Sequence, residues 1–247
     1  MDTLFISDLH LHPARPQITR AFFEFLQNRT INIQALYILG DFFDVWIGDD
    51  DDAPLAQEVA SQLYALSQKK IAIYLMHGNR DFLLGNSYAE RAGAQLIDEG
   101  TVIDLYGCPT LLLHGDNLCT QDRDYMAFRQ QVRSPEWQAQ ILAQPLAARR
   151  ALAEQLREQS QSINSMKAEN IMDVTQEEVI SVMRQAGVTR LIHGHTHRPA
   201  RHALQIDNQN AERIVLGDWH DYAWCLTASA DGGIRLDKWQ IEAHTND

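Results

Sequence analysis

At 247 residues, 45% hydrophobic and 22% charged, the chain has the composition of a folded protein large enough for a substantial core. A net charge of −12 weighs against a general nucleic-acid binder, which carries a basic footprint. No apolar run approaches the roughly 20 residues of a membrane-spanning helix, and three widely spaced cysteines, Cys108, Cys119 and Cys225, make no disulfide framework and suit a reducing, cytoplasmic setting.

The chain opens on an apolar run at 3–7 that ends in Asp8-Leu9-His10 and reads as a strand rather than a secretory leader. A helical pattern at about 16–28 precedes a second run, 35–39, that ends in Gly40-Asp41-Phe42-Phe43-Asp44. After an acidic loop at 49–52, Pro54 suits the first turn of a helix over 54–69. The third run, 71–76, leads to Gly78-Asn79-Arg80-Asp81, and a fourth, 110–113, to His114-Gly115-Asp116. Residues 121–186 form a Gln- and Ala-rich helical stretch divided by Pro135 and Pro145, with Ser134 and Thr175 as N-caps. A fifth run, 190–193, reaches Gly194-His195-Thr196-His197; strands follow at 202–206, 212–216, 223–228 and 234–240, with Asp231-Gly232-Gly233 as a hairpin turn. Short runs apolar on both faces, alternating with helices, predict a layered α/β sandwich. Its core spans 1–120 and 168–247, and 121–167 is a helical insertion over the sheet end.

All five clusters stand where a strand ends, and open α/β sheets build their sites beyond the carboxyl ends of strands. Asp8, Asp41, Asn79, His114 and His195 fall on that rim, and His10 and His197 stand two residues beyond a neighbour. Two carboxylates, an amide oxygen and four imidazoles form a mixed donor set for two divalent cations of the Mn, Fe or Zn kind. That chemistry points to metal-dependent hydrolysis of phosphate esters or anhydrides. Asp44, Asp81 and Asp116 read either as carboxylates that orient histidine ligands or as turn residues; His202, His220 and His244 receive no role.

These blocks, with Gly preceding Asp41, Asn79 and His195, resemble the signature of the calcineurin-like metallophosphoesterase family. The resemblance implies an α-β-β-α sandwich, with Asp8, His10, Asp41 and His197 on one metal and Asp41, Asn79, His114 and His195 on the other. Asp41 is then the shared carboxylate, and Asp41, Asn79, Arg80, His114 and His195 are the catalytic residues. One position departs from the family, which usually places a His after the Asn to help protonate the leaving oxygen; here it is Arg80. A guanidinium grips phosphate oxygens but does not release a proton. A phosphate monoester, whose second pKa is about 6, leaves without one, so the expected scissile bond is a phosphoanhydride.

In the insertion, Ser160, Asn164 and Lys167 lie at i, i+4 and i+7, a polar stripe that suits sugar and phosphate oxygens or simply faces solvent. Trp137, Ile141, Leu142, Leu146, Leu152 and Leu156 either pack the insertion on the core or line a groove for acyl chains. The insertion holds seven basic and five acidic side chains, against 14 and 28 in the remainder. From Phe5 to His10, from Leu39 to Asp44 and from Ile192 to Pro199, and through the insertion, the chain is similar to the branch of the family that acts on UDP-2,3-diacylglucosamine in lipid A synthesis. That likeness implies Mn²⁺, water attack on the α-phosphorus, and release of UMP and 2,3-diacylglucosamine 1-phosphate (lipid X). It also implies substrate contacts by Asn79, Arg80, Asp122, Ser160, Asn164, Lys167 and His195, and peripheral placement on the cytoplasmic face of the inner membrane. Attraction of the insertion to anionic lipid, about 1 kcal/mol per cation near the surface, is expected to be weak and salt-sensitive. No nucleic acid or obligate protein partner is expected. Competing readings are a general phosphatase or dinucleoside polyphosphate hydrolase, with the same metals and no acyl groove, and a metal-free scaffold, against which stands the presence of all seven ligand positions.

Overall fold

The alternation of side chains on the first two strands explains why the protein has two sheets. On β1 (Asp2–Ile6), Leu4 and Ile6 enter one core while Phe5 enters another; on β2 (Ile33–Leu39), Leu36 and Ile38 oppose Ala35, Tyr37 and Leu39. Strands buried on both faces need a layer on each side, and the computed structural model supplies them. It describes residues 1–157 in full, the backbone of 158–164, and residues 173–242.

The first sheet adds β3 (Ala72–Met76) and β4 (Gln95–Ile97) in parallel, and antiparallel β10 (Tyr222–Ala228) and β11 (Ile234–Gln240), in the order β11-β10-β1-β2-β3-β4. Parallel register aligns Phe5, Tyr37 and Tyr74, whose rings stack at 4.9 and 4.5 Å across neighbouring strands. The second sheet, β5-β6-β7-β9-β8, joins β5 (Thr101–Leu105), β6 (Cys108–Leu112), β7 (Arg190–His193), β8 (Ala200–Ile206) and β9 (Gln209–Val215). Leu112, Ile192 and Ile214 meet Phe5, Leu39 and Leu226 between the sheets.

Helices α1 (Pro16–Asn28), α2 (Pro54–Ser67) and α3 (Asn86–Arg91) cover the outer face of the first sheet through Phe22, Phe25, Val59, Leu63 and Tyr88. Val179 and Met183 of α7 (Gln176–Ala186) cover the second. The expected α-β-β-α sandwich is therefore the fold. Pro16 and Pro54 both occupy a first helical turn, where their missing N–H costs nothing.

Three elements escape the sequence pattern: α3, β4 and β5. The helical stretch at 121–186 resolves into α4 (Arg123–Val132), α5 (Pro135–Leu142), α6 (Leu146–Asn164) and α7. Ser134 caps α5, accepting from Trp137 N at 3.3 Å. Thr175 stands at the N-cap of α7 without a capping bond, because its hydroxyl is engaged by Thr120 Oγ1 at 2.8 Å. Side-chain anchors tie α6 to the core. Arg149, only 4% exposed, donates to Ile47 O at 2.6 Å and Asp50 Oδ1 at 2.7 Å, while Arg157 Nη2 lies 3.0 Å from Asp44 Oδ2. Among the described residues no helix is long and apolar enough to cross a membrane.

Candidate metal centre

The turns that end β1, β2 and β7 carry the strained backbone of this protein. Ten non-glycine residues among those described have positive φ, and five of them are Asp8, His10, Asp41, His195 and His197. Such conformations cost about 1–3 kcal/mol each and persist only where the surroundings enforce them. At Asp8, His10 and Asp41 the enforcement is a short ladder between loops: Asp8 N donates to Gly40 O at 3.1 Å, His10 N to Asp41 O at 2.9 Å and Leu11 N to Phe42 O at 2.9 Å. The loop after β7 is held by Gly194 N on His114 O at 2.8 Å and His195 N on Asp8 Oδ2 at 3.0 Å. The effect is to turn two carboxylates and three imidazoles toward one point.

At that point the side chains form two adjoining groups. In the first, His10 Nε2 and His197 Nε2 face each other at 3.3 Å, with Asp8 Oδ1 at 3.4 Å from His197 Nε2 and Asp41 Oδ2 at 3.7 Å from His10 Nε2. In the second, Asn79 Oδ1 lies 2.9 Å from both His114 Nε2 and His195 Nδ1, and Asp41 Oδ1 lies 3.7 Å from His114 Nε2. Asp41 thus presents one oxygen to each group. Potential donor atoms of Asp8, His10 and His197, and of Asp8, Asp41 and His114, lie within 4.8 Å of one another. All seven residues singled out in the sequence come together here.

Electrostatics show what such a cluster lacks. Burial disfavours the charged forms of His10 and His195 and lowers their pKa values to about 3 and 4, so both rings are neutral lone-pair donors at pH 7. Burial also acts on His114 and His197, but Asp41 and Asp8 around the first and Asp8 and Asp218 around the second outweigh it and raise both to about 9. For Asp41, burial dominates; with Asp81 and Asp8 it outweighs the opposing pull of His114 and Arg80 and raises the carboxyl to about 7. Burial works against ionised Asp8 too, yet the hydrogen bond and charge of His197, with His114 and His10, hold it well below the usual carboxylate range. Facing imidazole nitrogens and an amide oxygen wedged between two rings are a poor arrangement for protons and a good one for cations. The mixed donors fit borderline divalent metals.

The supporting contacts fix this arrangement from behind. Asp8 accepts from Ser7 Oγ at 2.5 Å and from His195 N at 3.0 Å; Asp41 Oδ1 accepts from Arg80 N at 2.8 Å. His114 Nδ1 donates to Leu39 O at 2.9 Å, which leaves Nε2 directed at the site. His197 Nδ1 lies 3.6 Å from Asp218 Oδ2. Asp81 does not orient a histidine: its carboxylate accepts from Phe42 N and Gly78 N at 2.8 and 2.7 Å, clamping two ligand loops together. Asp116 likewise binds Tyr125 and Arg129 rather than a ring nitrogen. Asp44 does approach His10 Nδ1, at 3.8 Å, and also holds Arg157. His220 is exposed and bonds Asp221.

Beside the cluster opens a cavity of about 350 Å³. Asn79, Arg80 and Arg157 stand on its wall, and Trp46, Phe82, Phe128, Trp137, Leu152 and Leu156 give it an apolar lining. Trp137, Ile141, Leu152 and Leu156 line this cavity, and Trp137 and Ile141 also pack against the main hydrophobic cluster, so packing and cavity lining are combined in these side chains; Leu142 is exposed. Asp122 is buried at the N-cap of α4, accepting from Tyr125 N at 3.1 Å. The side chains of Ser160 and Asn164, and Lys167 as a whole, lie outside the described residues. Sequence reasoning passed over Arg157, which reaches the site from α6, and Tyr125, whose ring stacks on His195 at 6.2 Å; α6 offered one signal, the i, i+8 spacing of Arg149 and Arg157 on one face.

Comparison with known proteins agrees with this geometry. Residues 1–199 match the family described as calcineurin-like phosphoesterase. The chain is 73% identical over 241 residues to the UDP-2,3-diacylglucosamine hydrolase of Cellvibrio japonicus, covering 98% of this chain and 100% of that one. It is 52% identical to the protein of that name from Marinobacter nauticus (96% and 97% covered) and 53% identical to that from Pseudomonas aeruginosa strain PAO1 (94% and 97% covered). A solved archaeal phosphodiesterase shares the fold at 13% identity, with a TM-score of 0.50 over 97% of this chain and all of that one.

Proposed function

The chain belongs to the calcineurin-like phosphoesterase family, and from that membership and the shape of its site we propose that it hydrolyses the pyrophosphate bond of UDP-2,3-diacylglucosamine, giving UMP and lipid X. The observation that carries the choice of substrate is the apolar cavity, whose wall includes Asn79 and Arg80 beside the polar cluster. A general phosphatase has no use for such a groove, whereas acyl chains gain about 0.8 kcal/mol per methylene buried. The substrate in the relatives' printed name has two such chains next to a pyrophosphate.

In this reading Asp8, His10, Asp41 and His197 hold one divalent ion and Asp41, Asn79, His114 and His195 the other, with Asp41 shared; the donor set suits Mn²⁺. Two bound cations supply charge to phosphoryl oxygens and an acidified water for in-line attack. The chain's own residues do the rest. Arg80, on the cavity wall, binds phosphate oxygens bidentately and offsets charge that develops between the phosphorus centres. The departing sugar phosphate needs no proton, which matches the absence of a histidine at that position. His195 and Asn79 orient the nucleotide phosphate, while Asp122, Ser160, Asn164 and Lys167 contact the sugar and phosphate oxygens. Residues 121–167 act as a lid on the core formed by 1–120 and 168–247, and their local positive charge brings the protein to the anionic cytoplasmic face of the inner membrane.

The test is a comparison of kcat/KM for diacylated UDP-glucosamine, the same sugar nucleotide without acyl chains, bis(p-nitrophenyl) phosphate and diadenosine tetraphosphate. Burial of even a few methylenes at about 0.8 kcal/mol each predicts a preference of at least about a hundredfold for the diacylated compound. Equal rates on the first two, or a preference for the dinucleotide, refute the assignment.

A further inference from the structure

Helix α4 carries Tyr125 and Arg129, with Arg133 at its C-cap, at i, i+4 and i+8 and so along one face. Each side chain reaches a different loop of the group formed by Asn79, His114 and His195. The Tyr125 ring stacks on His195, centroids 6.2 Å apart and planes 25° apart, and its hydroxyl donates to Asp116. Arg129 Nε donates to Asp116 at 2.9 Å and its Nη2 to Glu99; Glu99 Oε1 in turn accepts from the backbone N–H of His114 at 3.3 Å. Arg133 Nη2 donates to Gly78 O at 2.9 Å, one residue before Asn79, and stands 3.8 Å from Asp116, while its Cζ lies 5.8 Å from the Phe82 ring centroid. Asp116, wholly buried, is the hub that all three share.

Among the described residues α4 makes no such contact with the other group: Asp8, His10 and His197 are held by Ser7, Asp44 and Asp218, and the helical segment reaches them through Arg157 of α6, 3.0 Å from Asp44 Oδ2. The distinction is physical: Asn79, His114 and His195 come from three separate loops, and their convergence to 2.9 Å on one amide oxygen depends on where those loops sit. Buried charge-assisted hydrogen bonds from a rigid helix set such positions well.

We propose that the Tyr125-Arg129-Arg133 face of α4 is a positioning device for one of the two ion sites, so that the insertion builds half of the metal centre as well as the groove. The proposal rests on the two-ion reading above. These are positioning residues, acting on Asn79, His114 and His195 from behind.

The experiment titrates Mn²⁺ into the metal-free full-length protein, its Arg133→Met and Arg133→Lys variants, and Tyr125→Phe as a milder change, followed by calorimetry and electron paramagnetic resonance. Arg133→Met is expected to bind its first ion as the parent does and its second about 10–100-fold more weakly, with the spin-coupled signal lost at limiting Mn²⁺. At saturating lipid substrate kcat falls while KM holds. Arg133→Lys, which keeps a donor for Gly78 O, recovers part of the loss, and Tyr125→Phe, which keeps the stacked ring, shows less than Arg133→Met. Parental affinity for both ions in Arg133→Met, equal weakening of both, or no recovery in Arg133→Lys overturns the proposal. A parent that takes up fewer than two ions overturns the two-ion reading itself, which separates the two failures.

Discussion

Gly40 joins β2 to Asp41, and replacing it with alanine perturbs the site at its narrowest point. Its φ is +86°, where a Cβ is strained by about 1–2 kcal/mol. A Cβ built there lies 2.5 Å from His114 Nδ1 and 2.7 Å from both N and Cα of Gly78, against an ordinary contact of 3.4 Å or more. Two of these three neighbours are backbone and the third is a ring pinned to Leu39 O, so none swings away cheaply. Relief requires a shift of about 1 Å between the loops that carry Asp41, Asn79 and His114. Overpacking of this kind costs about 1–3 kcal/mol, giving about 2–5 kcal/mol with the backbone strain. At roughly 2–4 °C per kcal/mol for a chain of this size, the metal-free variant should melt about 5–20 °C lower. A displacement of about 1 Å at the reacting groups costs on the order of 100-fold in kcat. Differential scanning calorimetry and steady-state turnover read both quantities. A Gly40→Ala protein with parental melting temperature and kcat would refute the view that loop spacing defines the site.

Other consequences follow from the same geometry. His114 and His197, raised to about 9, are protonated in the metal-free protein at pH 7 and must deprotonate to act as ligands. With the share of Asp41 that is protonated at pH 7, its carboxyl being raised to about 7, loading releases about two to three protons and affinity climbs with pH toward 9, by up to about tenfold per unit for each proton; calorimetry in buffers of different ionisation enthalpy should show that release, and none would contradict the electrostatic picture. Arg80→Ala should raise KM and lower kcat, while Arg80→His brings no gain on the anhydride; full activity in Arg80→Ala would rule out its role as phosphate clamp. Ala153, on the cavity wall, tests the groove: Ala153→Phe should lower kcat/KM for the diacylated substrate about tenfold more than for the acyl-free one, and an equal effect on both would exclude acyl binding there.

What could be read from the chain beforehand divides along physical lines. The five clusters were visible because each follows an apolar run buried on both faces, and such runs announce both a strand and the place where it ends. Layering followed from the same runs. Short edge elements were hidden: β4 has three residues, and α3 six, too few for a period to emerge. Positive φ at Asp8, His10 and Asp41 left no trace either, since the interloop ladder that enforces it joins residues about 30 apart. Asp81 shows the limit best. As one of several acids beside ligands it read either as a partner for histidine or as a turn residue, and only the fold decides for the second: its oxygens are taken by backbone N–H groups of Phe42 and Gly78. Tyr125, Arg129 and Arg133 form a helical stripe that any periodicity scan detects, but its meaning lies in Glu99, Asp116 and Gly78, which only the fold brings near.

Hydrolysis of UDP-2,3-diacylglucosamine by the Mn²⁺-loaded protein in ¹⁸O-enriched water tests the central claim most directly. Mass spectrometry should find one heavy oxygen in the phosphate of UMP and none in the released lipid phosphate, with turnover abolished in Asp41→Ala. Label in the lipid phosphate, or undiminished turnover in Asp41→Ala, would contradict the account.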